Sequence, residues 1–370
     1  MTVERKILLN PGPATTTDSV KQALVIPDVC PRERSFTELY AEVRRRLVAL
    51  VGDPAEVVAI PLVGNGTTAL EAVTASLVPP GSRLLVLDNG DYGTRLAAMA
   101  RALGVDHEVL AFGWAVPIDP AVVEALLENA EPRFSHVWLV HHETGSGLLN
   151  PLEPLLPLFR RHGLRVLLDA MSSFACLPTP VGAGGVDAVV SSSNKCVQAM
   201  AGLGLVLATR ALLDEARGRP RRCFSLDLVA EHDHLEKTGQ SRFTVPPQLV
   251  SALARALVEL EEESVAGRRA RYERSMQALL AGLHRLGFEP LLDRGVPSRI
   301  LVAIRAPAEP WFDFDAMHDA LFAEGFTIYP GKLGAAASFR LSVLGAIDER
   351  DIEAFLAALG RHLRRARGSG

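Results

Sequence analysis

Hydrophobic residues along this chain fall into two alternating patterns. Short unbroken apolar runs, such as Val57 to Val63, are separated by longer stretches in which apolar residues recur every three or four positions. Unbroken runs of this length suit strands buried on both faces, and the wider spacing suits helices with one face on a core. The runs predict strands at 57–63, 83–87, 106–110, 135–140, 164–168, 186–191 and 203–208. The spaced stretches predict helices from about Ser35 to Leu50 and at 67–77, 92–103 and 119–129. This alternation defines an α/β fold with a large, doubly wound, mostly parallel sheet. After Pro246-Pro247 the pattern changes to helices Gln248–Glu263 and Arg268–Leu286, strand Arg299–Ile304, helix Phe314–Glu324, strands Phe326–Tyr329 and Ser338–Ser342, and helix Glu349–Leu363. These build a small α+β C-terminal domain.

Chemistry concentrates where predicted strands end. The run Val186 to Ser191 breaks into Ser192-Ser193-Asn194-Lys195, and Lys195 is one of only five lysines in a chain rich in arginine. Arginine stays protonated, whereas a partly desolvated lysine can lose its proton and attack a carbonyl. The bland alternative is a solvated loop lysine. One strand earlier, Leu164 to Leu168 closes on Asp169, followed by Ala170-Met171-Ser172-Ser173. Taken alone, an aspartate there is a turn former. In a parallel sheet, however, both residues emerge at the ligand-binding edge. A lysine to hold an aldehyde and a carboxylate to hold a pyridine nitrogen protonated are the pair that pyridoxal 5'-phosphate requires. The turn Gly64-Asn65-Gly66-Thr67-Thr68, between a strand and a helix, could present bare N–H groups and hydroxyls to a phosphate, although many ordinary turns look the same.

Composition narrows the partners. With 370 residues and 48% hydrophobic content the chain can bury a large core and divide into two domains. A net charge of -4 and no basic tract argue against nucleic acid. The first residues lack the apolar segment of a secretory signal, and no stretch reaches the roughly 20 apolar residues of a membrane span, so a cytoplasmic protein is expected. Cys30, Cys176, Cys196 and Cys223 show no CxxC spacing, which points to reduced thiols and no metal site.

The segments Asn10-Pro11-Gly12-Pro13, GNGTTALEA (Gly64 to Ala72), DNGDYGTR (Asp88 to Arg95), HHETGSGLLNP (His141 to Pro151), LLDAMSSF (Leu167 to Phe174), SSSNKCVQ (Ser191 to Gln198), SRFTVPP (Ser241 to Pro247), GFTIYPGK (Gly325 to Lys332) and SFRLSVLGAID (Ser338 to Asp348) resemble, in order, the 2-aminoethylphosphonate:pyruvate transaminases. These are class V aminotransferases of fold type I. The resemblance implies a pyridoxal 5'-phosphate-dependent homodimer with a shared active site. It further implies an N-terminal arm (1–15) associated with the small domain, a large cofactor domain (16–255), a small C-terminal domain (256–363) and a disordered tail (364–370).

Residue by residue, the resemblance makes Lys195 the cofactor lysine and base, and Asp169 the partner of the pyridine nitrogen. Tyr92 stacks on the ring, and Thr144 lies near its phenolic oxygen. Gly66, Thr67, Thr68 and Ser193 hold the phosphate, Thr244 reaches in from the other subunit, and Arg340 binds the acidic group of the substrate. His141 and His142 are read as structural. Arg32 and Arg34, in Cys30-Pro31-Arg32-Glu33-Arg34, are further candidates for the phosphonate, with solvated surface arginines as the alternative. The implied reaction passes an amino group from 2-aminoethylphosphonate to pyruvate, giving phosphonoacetaldehyde and alanine. The Arg32–Arg34 segment departs from the acidic stretch of degradative relatives and leaves the biosynthetic direction open. The alternatives are an alanine- or serine:glyoxylate-type aminotransferase, differing at the substrate arginines, and a cysteine desulfurase-like lyase, which needs a mobile catalytic cysteine.

Overall fold

The computed structural model describes residues 6–292, 296–330 and 338–368. Its centre is a seven-stranded sheet in the order Val57–Val63, Leu203–Thr209, Ala188–Ser192, Arg165–Asp169, His136–Val140, Arg83–Asp88, Asp106–Ala111. All neighbours run parallel except Leu203–Thr209, which is antiparallel to both of its partners. Ala188–Ser192, His136–Val140 and Leu203–Thr209 are buried throughout, as their unbroken apolar runs require. Pro61 lies inside the first strand; that strand is at the sheet edge, where a missing N–H leaves no ladder bond unmade. Gly204 lets the helix Gly66–Leu77 close on the sheet, since a Cβ there would stand 2.8 Å from Ala69 Cβ and 2.9 Å from Asn65 O.

A second, three-stranded antiparallel sheet orders Leu301–Arg305, Ser338–Ser342 and Tyr329–Pro330, with the helices Val265–Arg285, Phe314–Ala323 and Glu349–Ala366 in the same region. Residues 7 and 8 pair in parallel with Phe326 and Thr327, and Ser342 N donates to Leu9 O at 2.7 Å. The arm is thus stitched to this smaller unit before it crosses to the large sheet.

Pattern reading missed the short helices Asp18–Gln22, Leu156–Arg161 and Arg210–Ala216, the helix Leu228–Thr238, and the hairpin His142–Glu143/Leu148–Leu149. The expected tail at 364–370 is corrected in part: the last helix runs to Ala366. Arg367 packs over the Trp311 ring at 4.4 Å and donates to Leu286 O at 3.2 Å, and basic side chains suit the carbonyl end of a helix. Among the described residues no helix is long and apolar enough to cross a membrane, and no metal-ligand cluster forms.

Candidate active site

Strand Ala188–Ser192 ends in a tight turn that aims Lys195 off the sheet edge. Ser193 N donates to Leu203 O at 3.0 Å, Gln198 N to Lys195 O at 2.9 Å and Ala199 N to Ser193 O at 2.8 Å. Lys195 Nζ donates to Pro11 O, so the arm lies directly on the lysine. Gly12 permits this crossing: its φ is +131°, and a Cβ would come within 2.5–2.7 Å of Lys195 Nζ, Cδ and Cε. Burial pushes the Lys195 ammonium down to about 8; the charges of Arg340 and Arg95 act the same way, while Cys196 and Asp169 oppose it. A lysine so placed has a neutral amine within reach of physiological pH.

Asp169 ends the neighbouring parallel strand, in register with Val190, and therefore emerges at the same edge. It is 2% exposed and accepts one backbone bond, from Met171 N to Oδ1 at 2.9 Å. Burial lifts its carboxyl to about 6, opposed by that N–H and by the charges of Arg95 and Lys195. A buried carboxylate with one backbone donor fits a cationic ring N–H, which would return it to the ionised form.

The glycine turn joins these two. Gly66 is buried, and a Cβ on it would collide with Met171, two residues past Asp169. Asn65 caps the helix by accepting from Thr68 N at 3.0 Å, which leaves the first N–H groups, at Gly66 and Thr67, for another acceptor. Thr144 is buried, with its hydroxyl 2.9 Å from that of Ser172. Ser193 is enclosed, and its hydroxyl donates to Met200 O at 2.5 Å, as the Thr68 hydroxyl does to Asn65 Oδ1 at 3.3 Å. Tyr92 stands half-buried at the start of helix Asp91–Ala102, with the Arg95 guanidinium 4.6 Å from its ring centre.

Arg340 lies on strand Ser338–Ser342 and is 5% exposed. Its Nη2 reaches Pro330 O at 3.3 Å, while its buried Nε has no hydrogen-bond partner among the described residues, a group whose burial costs free energy until an acceptor meets it. Arg32 and Arg34, read from the sequence as candidates for the phosphonate or as solvated surface arginines, both have partners within this chain. Arg34 is exposed and paired with Glu38 at 2.8 Å, and Arg32 gives its donors to Gln240 Oε1 at 3.2 Å and to the carbonyls of Ser241 and Arg242. Thr244 is exposed on the segment that Arg32 holds. Gly331 and Lys332 of the GFTIYPGK segment lie outside the described residues.

Glu143 was not foreseen. It is fully buried, and its oxygens accept from Tyr92 N at 3.2 Å and from Gly145 N at 3.2 Å, capping the Tyr92 helix, whose own N-cap, Gly90, has no side chain. Gly90 could not be otherwise, because a Cβ there would strike Glu143. Acid at a strand end, with Gly-Asp-Tyr elsewhere, carries no sequence signal that the two meet. Burial drives His141 down to about 4 and His142 to about 3, so both stay neutral. Cys176 and Cys196 are buried free thiols, Cys196 with its thiol toward Ser172 O at 3.5 Å, which is unlike a cysteine on a mobile loop.

The arm thus crosses a buried lysine held toward its neutral form, a buried aspartate lies close enough for its charge to act on that lysine, and the charge of Arg340 reaches both the lysine and Tyr92. Comparison with known proteins gives the family. Residues 20–295 match the family Aminotransferase class-V, and the chain belongs to it. A Burkholderia ambifaria protein named 2-aminoethylphosphonate–pyruvate transaminase is 40% identical over 358 residues, covering 96% of this chain and 95% of that one. A Burkholderia lata protein, 2-aminoethylphosphonate–pyruvate transaminase 1, is 39% identical, with 96% of each chain covered. Among solved structures, alanine–glyoxylate aminotransferase from Nostoc sp. aligns with a TM-score of 0.90 at 26% identity, covering 98% of this chain and 97% of that one.

Proposed function

We infer that this aminotransferase exchanges an amino group between 2-aminoethylphosphonate and pyruvate, using pyridoxal 5'-phosphate. The observation that carries the substrate reading is Arg340, a buried guanidinium whose Nε has no partner among the described residues and whose charge is felt by Lys195 and Tyr92. The names of the relatives that share most of the chain's length agree with it. When bound, the cofactor supplies an electron sink for the substrate carbon. Lys195 would hold it covalently and, once released, take a proton from the substrate carbon. Asp169 would anchor the ring nitrogen, Tyr92 cover the ring face and Thr144 lie near the ring oxygen. Gly66 and Thr67 would offer their N–H groups to the phosphate at the helix start, the Thr68 and Ser193 hydroxyls would turn to it from Asn65 and Met200, and Arg340 would grip the acidic group of either substrate in turn.

A homodimer completes this reading. Thr244 faces outward beside Phe243 (42% exposed) and Phe224 (76% exposed), whose rings lie 6.0 Å apart with Arg242 packed over both. An apolar cluster this open suits a subunit interface that carries Thr244 into the partner's site.

The test is a half-reaction screen. Mixed with the yellow holoenzyme, 2-aminoethylphosphonate should bleach the cofactor band faster than taurine or β-alanine, and alanine should do so in the reverse direction. Arg340→Lys should weaken the phosphonate strongly, on the order of a hundredfold, because an ammonium cannot reproduce the planar two-bond grip. Equal rates for the phosphonate and β-alanine would reject this substrate and favour a general alanine-type aminotransferase.

A further inference from the structure

The turn that carries Lys195 runs on into a residue with no part in the chemistry above. Gln198 has a left-handed backbone (φ 63°) although it is not glycine, and it is 3% exposed. Non-glycine residues adopt this conformation only where their surroundings impose it. Here the N–H of Gln198 closes the turn on Lys195 O at 2.9 Å, and its Nε2 donates to Tyr272 Oη at 2.6 Å. Tyr272 is fully buried on helix Val265–Arg285, and its oxygen also accepts from Gly345 N at 3.1 Å. Gly345 lies three residues past Ser342, the end of the strand that bears Arg340.

Neighbouring residues of the same helix repeat this two-sided grip. Arg268, 2% exposed, donates from Nη1 to Cys196 O at 2.7 Å and to Val197 O at 3.3 Å, while its Nε is held by Glu263 at 2.7 Å. Arg271 donates to Gly345 O at 2.8 Å and Ile347 O at 2.6 Å, and Glu263 binds it as well. One helix face thus holds the lysine turn on one side and the chain leaving the arginine strand on the other. Among the described residues, the atom of this helix that bonds to both sides is Tyr272 Oη.

We propose that Tyr272, bridging Gln198 to Gly345, is a positioning residue that fixes the Lys195 turn relative to the Arg340 strand, so that the amine chemistry and the grip on the substrate's acidic group stay in register. This rests on the roles given to Lys195 and Arg340 above. Tyr272→Phe keeps the ring and removes only the bridging oxygen, leaving two buried donors without their acceptor. The imposed backbone at Gln198 then loses its anchor, and the amine of Lys195 moves relative to the guanidinium.

The test is made on the holoenzyme. Tyr272→Phe should shift the pH titration of the cofactor absorbance by about half a unit or more. It should raise KM for the amine about tenfold while lowering kcat less. Combined with Arg340→Lys, its effect on KM should be smaller than in the wild type, because the register no longer matters once the grip is lost. Gln198→Met cuts the same link from the lysine side and should give the same spectral shift, which covers the case in which Tyr272→Phe fails to fold. Variants that only melt earlier, with wild-type titration and KM and additive effects, would overturn the proposal. The titration needs no amine, so it remains readable if the substrate is misassigned. A protein with no cofactor on Lys195 would reject the site reading itself, and the bridge with it.

Discussion

Two segments leave adjacent parallel strands at the same sheet edge, and each carries a buried acid whose carboxyl is raised chiefly by burial. Asp169 is lifted to about 6 and Glu143 to about 7. What separates them is how their oxygens are occupied. Glu143 uses both on the backbone, one N–H from the Tyr92 helix and one from Gly145, while Asp169 takes a single backbone N–H beside Lys195. A perturbed acid is therefore a poor marker of chemistry by itself. Hydrogen-bonding capacity left over next to a reactive partner is a better one.

The comparison breaks first at Lys195. If the Asp169 side is the reactive one, Lys195→Ala should abolish turnover and the covalent cofactor band while leaving the fold intact. Borohydride reduction of the wild-type holoenzyme and peptide mapping should find the cofactor on Lys195. A label on Lys237, or on Lys332 outside the described residues, would move the chemistry elsewhere.

Asp169→Asn is the next largest effect. A neutral amide cannot hold a ring nitrogen protonated, and losing one well-placed charge in a dry site costs on the order of a hundredfold in turnover, about 2.7 kcal/mol. The cofactor-free protein gives an independent readout. Because the folded-state carboxyl is raised from 3.8 to about 6, the folded form binds more protons between those values, and this contribution to stability falls as pH rises through that window. The variant should lack that decline in urea titrations. Near-normal single-turnover rates would show that the two acids are not distinguished in the way their contacts imply.

Most of the scaffold on which this contrast rests was legible in the sequence, because unbroken apolar runs report strands buried on both faces. The run from Ala188 to Ser192 and the one ending at Asp169 fell within two residues of their observed limits, and their parallel pairing brought Lys195 and Asp169 to one edge. The contacts of Glu143 were not legible. Its partners, Tyr92 and Gly145, come from a helix start 51 residues earlier and from its own hairpin, and neither hydrophobic periodicity nor spacing encodes a cap supplied from elsewhere in the chain. Arg32 and Arg34 show a second kind of contact that the sequence does not encode. Local charge suggests substrate chemistry, but it does not report the backbone carbonyls that a guanidinium meets in its own chain, as Arg32 does at Ser241 and Arg242.

The smallest effect sharpens the contrast most. Glu143→Gln keeps a carbonyl oxygen for one backbone N–H and removes the charge, so turnover should fall only several-fold, far less than for Asp169→Asn. The stability effect should depend on pH. Burial, together with the nearby Asp91 and Asp169, raises the Glu143 carboxyl from 4.5 to about 7 against the pull of its two N–H donors. Between those values the folded form binds more protons than the unfolded one, so the cost of ionising Glu143 grows as pH rises from about 4.5 to 7 and is constant above. Glutamine never pays it. Near pH 4.5 the variant should be less stable than the wild type by about 1 kcal/mol for one imperfect hydrogen bond. Above pH 7 that deficit should shrink or reverse as the wild type carries its buried charge. Urea titrations of both cofactor-free proteins at several pH values measure this crossover. A deficit constant across pH would mean that Glu143 is not held protonated, and a loss of turnover as large as that of Asp169→Asn would place Glu143 in the chemistry and dissolve the distinction between the two segments.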